Sequence, residues 1–283
     1  MSNNFNEEVR KIKTNKENLV VYKQPETNKI QSQMIELSEK FLEIKKTGWV
    51  KGEKNNYGSA GITFEKLINN NWTNFEIPDY NDIEIKTKSS PKEKYITLFS
   101  AIPDSFLFEI KRIVNQYGYP DKQFPQFNIF NMDIYSYKYK KGNSNYYFKL
   151  CVNRKEENIV LNVYDSEFKL IDSNTKWSFD VIKEKLLRKL KVLALIEVDK
   201  KYINNEIFFK YKTLDFFILK SFNTFIDLID KGKIRIVFRI GIYKTSDKFG
   251  KIYDHGSAFC IKKDDLEMLF QKVEGIYPGN LES

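Results

Sequence analysis

Residues 77–88 read IPDYNDIEIKTK and place three acids and two lysines within twelve positions. Read as an extended segment, DIEIKTK turns Ile83 and Ile85 to one face and Glu84 and Lys86 to the other. Asp79 ends the preceding apolar stretch, and a tight hairpin would bring it beside Glu84. Two carboxylates at one strand end form a hard-oxygen site suited to Mg²⁺, with Asp79 and Glu84 as the ligands. Lys86 would stand over that site, ready to orient a water or to neutralise charge developing on a phosphate. Glu65, on a helix that follows a glycine-containing loop, offers a further carboxylate. A metal, a positioned water and a cation are what phosphodiester hydrolysis requires. The same spacing also describes an ordinary solvated hairpin, since Asp-x4-Glu-x-Lys is short enough to recur by chance.

The elements that must carry these residues follow from periodicity. Ile30, Met34, Ile35, Leu37, Phe41, Leu42 and Ile44 recur at close to helical spacing, with Gly48 as the stop. NNYGSAGITFEKLINN is a loop leading into a helix. Within it Tyr57 and Ser59, between Gly58 and Gly61, can approach a DNA backbone or can simply form the helix entry. NFEIPD and DIEIKTK read as two short strands and YITLFSAI as a third. SFLFEIKRIVNQYG is a helix, residues 128–172 a β-meander, 178–190 a helix and 192–199 a strand. NEIFFKYKTLDFF is another strand, LKSFNTFIDLIDKG an amphipathic helix, KIRIVFRIGIYK a strongly alternating strand, and DHGSAFCIKKDDLEMLF runs from loop through strand to a final helix. The order implies an α/β class with mixed α+β character. Residues 1–27 form a polar arm, 28–120 a catalytic lobe, and 121–283 mainly a recognition lobe with some elements returning to the first.

The 283 residues carry a net charge of +9 and are 41% hydrophobic and 15% aromatic. That composition supports a folded core and favours an anionic partner, nucleic acid first. Abundant Asn, Lys and Ile reflect AT-rich coding, which softens the charge argument. Two cysteines, Cys151 and Cys260, make neither a disulfide framework nor a zinc pattern; their apolar neighbours predict buried thiols in a reducing compartment. Trp49, Trp72 and Trp177 are expected in the core. No apolar run reaches the roughly 18 residues of a membrane span and the N-terminus is polar, so the expected setting is cytoplasmic and away from membranes.

Residues that could touch DNA lie in the C-terminal third. Arg235 and Arg239 share one face of IRIVFRIGIY, about 13 Å apart at roughly 3.3 Å per residue. They can meet guanine edges or phosphates, or line a solvated sheet face. Lys231, Lys233 and Lys244 would add phosphate contacts. His255 is the single histidine; beside Gly256 and Ser257 it can offer its ring to a guanine edge or merely bond its own turn. The basic helix KEKLLRKLK can follow a DNA backbone or be a solvated face.

The ordered residues GITFEKLINN, FEIPDYNDIEIKTKS and ITLFS resemble the core of PD-(D/E)xK nucleases, and more narrowly the branch that holds MutH, Sau3AI and the MvaI/BcnI restriction endonucleases. Gly61 with Glu65, then Asp79, then Glu84 and Lys86 with Thr87, follow that branch's pattern. DHGSAFCI is similar to the His-Gly-Thr-Ala-Phe segment of MvaI/BcnI-type enzymes, with Ser257 in place of Thr. The likeness spans roughly residues 48–100 and 190–272 and leaves 121–180 without a role. It implies a restriction-endonuclease-like mixed sheet flanked by helices, with a DNA-recognition lobe. It further implies a type II restriction endonuclease that needs Mg²⁺, cuts double-stranded DNA to leave 5′-phosphates and acts as a monomer. Glu65, Asp79, Glu84 and Lys86 would be catalytic, and Arg235, Arg239, His255, Ser257, Lys233, Tyr57 and Ser59 would touch DNA. A companion DNA methyltransferase would protect the same site. A MutH-like nickase of mismatch repair and a DNA-binding module without chemistry are the alternatives.

Overall fold

The computed structural model describes residues 24–56, 58–68, 78–88, 94–142, 145–245 and 247–276. In chain order these form α1 (Gln24–Thr47), β1 (Val50–Lys51), α2 (Ser59–Leu67), β2 (Ile83–Lys88), β3 (Tyr95–Ser100), α3 (Phe106–Tyr117), β4 (Tyr119–Pro120) and β5 (Asn128–Ile134). Then come β6 (Lys140–Lys141), β7 (Tyr147–Asn153), β8 (Asn158–Tyr164), β9 (Leu170–Ser178), α4 (Phe179–Lys189), β10 (Val192–Ile203) and β11 (Glu206–Leu219). The chain ends with α5 (Phe222–Asp230), β12 (Ile234–Ile242), β13 (Ile252–Asp254), β14 (Ala258–Lys262), α6 (Leu266–Leu269) and β15 (Phe270–Val273). Two compact units emerge. The first takes the described parts of 1–94, 185–224 and 266–283, and the second takes 95–184 and 225–265. The first change of unit along the chain falls between residues 94 and 95. The third strand, β3, belongs to the second unit because it pairs with β14.

The first unit is built on a mixed sheet in the order β1-β11-β10-β2, with β15 also on β11. β10 and β11 form a long antiparallel hairpin closed by Asn204 and Asn205. Both have positive φ, 49° and 62°, the conformation a two-residue turn needs and asparagine tolerates. β2 runs parallel to β10, with Ile83 opposite Val192 and Lys88 opposite Glu197. Parallel strands are covered on both faces, which is why Val192, Leu193, Ala194, Leu195 and Ile196 are all buried. Ile30, Met34, Leu37, Phe41 and Ile44 of α1 make one apolar stripe in the core shared with α2, β2, β10 and β11. The hairpin expected between NFEIPD and DIEIKTK falls largely outside the described residues, as do residues 74–77 of its first strand and Trp72. Trp49, expected in the core, is 37% exposed and is covered by the Lys201 ammonium, 4.2 Å from its ring centroid.

The second unit holds a sheet in the order β3-β14-β12-β5-β4, with β13 on β12, and a separate sheet β6-β7-β8-β9. The expected meander is thus divided: β5 pairs with β12, while β7, β8 and β9 pair with one another. Phe130, Phe148, Trp177, Phe238 and Phe259 fill this unit's interior, with Phe130 ring centroids 5.3 Å from Phe148 and 5.2 Å from Phe238. Cys260 is buried as expected, whereas Cys151 is exposed because its strand position faces away from Leu150 and the core. Among the described residues no helix is long and apolar enough to cross a membrane.

Candidate active site

β2 carries two adjacent positions of opposite character. Glu84 lies opposite Leu193 and Lys86 opposite Leu195, in the parallel pairing with the buried β10. Glu84 is fully buried, and Lys86, two residues on and on the same face, keeps a quarter of its side chain exposed. The Lys86 ammonium donates to Glu84 Oε1. Burial of a carboxylate beneath a sheet is costly unless its oxygens are satisfied. Here only one is: Glu84 Oε2 is buried with no hydrogen-bond partner.

Asp79 arrives through a turn. Tyr80 and Ile83 exchange two backbone hydrogen bonds of 2.9 and 2.8 Å, and Asn81 between them takes φ 52°. The turn presents the Asp79 carboxylate to the strand, where Oδ2 accepts the Ile85 N–H at 2.9 Å. Glu65 comes from α2. A Cβ placed on Gly61 would lie 3.7 Å from Glu65 Oε1 and 3.6 Å from Thr87 Oγ1, so this turn of α2 packs directly over β2. Tyr211, buried on β11, fixes the helix from beneath by donating to the Ala60 carbonyl at 2.8 Å.

The three acids share one field. Burial, then Asp79 and Glu84, push the Glu65 carboxyl up to about 7 against the pull of Lys86 and Lys189. Burial likewise raises Glu84, with Asp79 adding to it and Lys86 opposing. Burial alone would discharge Lys86, but Glu84 and Asp79 outweigh it and hold the ammonium above its ordinary value. An excess of acid around an unpartnered carboxylate oxygen fits a divalent cation. Among the described residues no three acid, cysteine or histidine groups form a ready-made cage.

The structure gathers Glu65, Asp79, Glu84 and Lys86 as the sequence spacing predicts, and adds one residue that spacing missed. Lys189, the last residue of α4, lies 3.5 Å from Glu84 Oε1. It is 103 positions after Lys86, and the only signal was a lysine within the apolar stripe of Ile182, Leu186 and Leu190.

The expected DNA-reading residues divide. Arg239 is on the open face of β12, and its Nη1 donates to the Gly256 carbonyl at 3.1 Å. His255 is exposed, edge-on to Tyr253 at 4.5 Å between centroids, and its Nε2 would sit 3.1 Å from a Cβ at Gly241. The absence of a side chain at 241 is what lets the imidazole lie there. Arg235, by contrast, donates from Nη1 to Asp133 at 2.5 Å and Tyr135 at 2.6 Å and stacks on Tyr95 at 3.4 Å, so its guanidinium is held within the protein. Lys233 is paired with Asp265 at 2.9 Å.

Two of the expected serines are buried. Ser257 accepts the Arg239 N–H at 3.0 Å and donates to Asp254 at 2.9 Å, so it shapes the His255 loop. Asp254, whose spacing to Gly256 and Ser257 marks a turn in sequence, ties that loop by also accepting the N–H groups of Gly256 and Ser257. Ser59 is buried as well, its hydroxyl accepting the Lys54 N–H at 2.8 Å. It organises the loop before α2 and has no surface to offer a phosphate. Tyr57 lies outside the described residues.

Comparison with known proteins gives a family and a fold. The family model of the MvaI/BcnI restriction endonuclease family matches residues 38–270. A solved complex of restriction endonuclease MvaI with its cognate DNA substrate is 29% identical, covers 85% of this chain and 97% of its own, and superposes with a TM-score of 0.78. The same enzyme solved in the absence of DNA is 30% identical over 85% of this chain and 96% of its own, with a TM-score of 0.55. No curated protein sequence matches.

Proposed function

The chain belongs to the MvaI/BcnI restriction endonuclease family, a family of DNA-cleaving hydrolases, and on that premise we propose that it is a type II, Mg²⁺-dependent enzyme that cuts double-stranded DNA at a defined sequence and leaves 5′-phosphate ends. The observation that carries the reading is the buried, unpartnered Oε2 of Glu84, beside Asp79 and beneath Lys86.

Asp79 and Glu84 would hold the cation. Mg²⁺, when bound, supplies a Lewis acid that draws charge from the phosphoryl group and acidifies water. Lys86 keeps its protons in this acidic field, so its ammonium can align the attacking water and offset charge growing on the phosphate oxygens. Hydrolysis then breaks the bond from phosphorus to the 3′-oxygen and leaves phosphate on the 5′ side. Glu65 adds a protonatable wall to the site, at a carboxyl pushed up to about 7 by burial and its acidic neighbours. Arg239 and His255 are the sequence readers the exposed surface supports best; Arg235 and Lys233 contribute by ordering that surface. The chain works as a monomer in the cytoplasm, paired with a methyltransferase of the same specificity.

The test is digestion of an unmodified plasmid with Mg²⁺ or with chelator, followed by sequencing of the ends. Defined ends bearing 5′-phosphate, formed only with the cation, are expected. Scission that persists in chelator, or at undiminished rate in Asp79→Ala, would overturn the assignment.

A further inference from the structure

Helix α4 delivers a cation to the active site from the middle of the chain. Its apolar stripe is Ile182, Leu186 and Leu190, all buried. Lys189 stands seven residues after Ile182, on the margin of that stripe, and is 26% exposed at its side chain. Lys183 and Arg188 of the same helix are exposed. The chain leaves α4 and enters β10 at Val192, whose register partner on β2 is Ile83. The junction therefore sets the end of α4 beside the start of β2, one pairing step from Glu84. A cation in the last turn of a helix also lies at the negative end of the helix dipole.

The consequence is an uneven carboxylate. Both ammoniums, from Lys86 and from Lys189 at 3.5 Å, lie against Oε1 of Glu84, while Oε2 has no partner. A carboxylate has room for about four hydrogen bonds, two on each oxygen. Stacking both cations on one oxygen fixes the plane and direction of the other. Resting on the metal reading above, we propose that Lys189 is a positioning residue for the cation site: it pins Glu84 Oε1 so that Oε2 stays directed at the cation when Lys86 turns to the scissile phosphate. With one lysine alone, each approach of Lys86 to phosphate would leave Glu84 Oε1 without a donor to hold it. The second lysine lets one ammonium move while the other stays.

Mn²⁺ is the probe, titrated into the DNA-free protein and followed by the electron paramagnetic resonance of the free ion. Wild type, Lys189→Met, Lys189→Gln, Lys189→Arg and Asp79→Asn are compared, each after its folding is checked by circular dichroism. Partners that orient a ligand carboxylate are worth about 10- to 100-fold in metal affinity or activity. Both neutral variants should lose Mn²⁺ affinity and single-turnover cleavage by about that factor, Lys189→Arg should retain most of each, and DNA affinity in chelator should be unchanged in all three. Unaltered Mn²⁺ binding in both neutral variants would overturn the proposal. So would weaker DNA binding in chelator with a shallower salt dependence, the mark of a backbone contact. Wild-type Mn²⁺ binding that is indifferent to Asp79→Asn would instead overturn the metal site itself, and this role of Lys189 with it.

Discussion

Glu84 on β2 and Asp172 on β9 are both buried acids, 0% and 7% exposed, and the chain supports them in opposite ways. Asp172 is fully engaged: Oδ2 accepts from Arg112 and from the Tyr117 hydroxyl at 2.7 Å, and Oδ1 accepts the Asn174 N–H at 2.9 Å. Arg112 also forks onto Glu109, with Nη2 at 2.9 Å, and onto Thr175, so helix α3 and strand β9 are joined by one closed network. Burial pushes Asp172 up, but these donors outweigh it and its carboxyl is held below the ordinary range. At Glu84 burial prevails, Asp79 adds to it, and the group is raised. The difference teaches how to tell a structural acid from a working one. The first has both oxygens bonded by the chain; the second keeps one oxygen without a partner, in surplus negative charge, which suits a group the chain does not contain.

Replacing the working acids should have the largest effect. Asp79→Ala, Glu84→Gln or Lys86→Ala should each lower single-turnover cleavage by roughly a thousandfold or more, about 4 kcal/mol in the barrier, with DNA binding in Ca²⁺ preserved. A variant that still cuts at wild-type rate would erase the contrast with Asp172. Next comes the structural network. Arg112→Met strands two acids in the second unit and should cost about 3–5 kcal/mol of stability, read as a fall in denaturant midpoint; an unchanged midpoint would show that the closed network is idle. The two arginines of β12 sharpen the same distinction on a smaller scale. Arg239→Ala should weaken specific binding by about 1–3 kcal/mol and relax one base position, whereas Arg235→Ala should chiefly lower stability, by roughly 1–2 kcal/mol. A reversal of those two outcomes, in a binding assay and a melting curve, would exchange their roles.

The pH dependence carries a definite sign. Because the folded-state pKa of Asp172 lies below the unfolded one, its stabilisation is complete above the ordinary carboxylate range and is lost as pH falls through the folded value. Asp172→Asn should therefore lose less stability than wild type between about pH 7 and pH 3, measured by thermal melts across that range; an identical loss in both would remove Asp172 from the acid response. The smallest effect belongs to Gly241→Ala, which crowds His255 Nε2 at 3.1 Å. A fewfold loss of specific binding with no change in melting temperature is expected, roughly 0.5–1 kcal/mol, and unaltered specificity would show that the imidazole does not need that seat.

The residues that were legible in sequence are those whose spacing is local. Asp79, Glu84 and Lys86 sit within eight positions, and the alternation of β12 correctly turned Ile234, Ile236, Phe238 and Ile240 inward. What misled were features whose meaning depends on a distant partner. The charged alternation of β2 looks like a hairpin with a wet face, because nothing local reveals that β10 lies alongside it in parallel. Ser257 and Ser59 have the polarity of DNA contacts, and nothing local reveals their buried bonds to Arg239, Asp254 and Lys54.

By itself the sequence determined which chemical groups are present and which short segments carry them, since period and turn chemistry act over a few residues. It placed an acid, an acid and a lysine at one strand, and a lone histidine beside a glycine. The tertiary structure alone decided that Glu84 is buried with one oxygen unpartnered, that Lys189 joins it from 105 residues further on, and that Arg235 is bonded to Asp133 and Tyr135 while Arg239 is more open. Burial and charge coupling depend on distance in space, and distance in space between far-separated residues is set by the strand pairing of β2 with β10 and of β12 with β5 and β14.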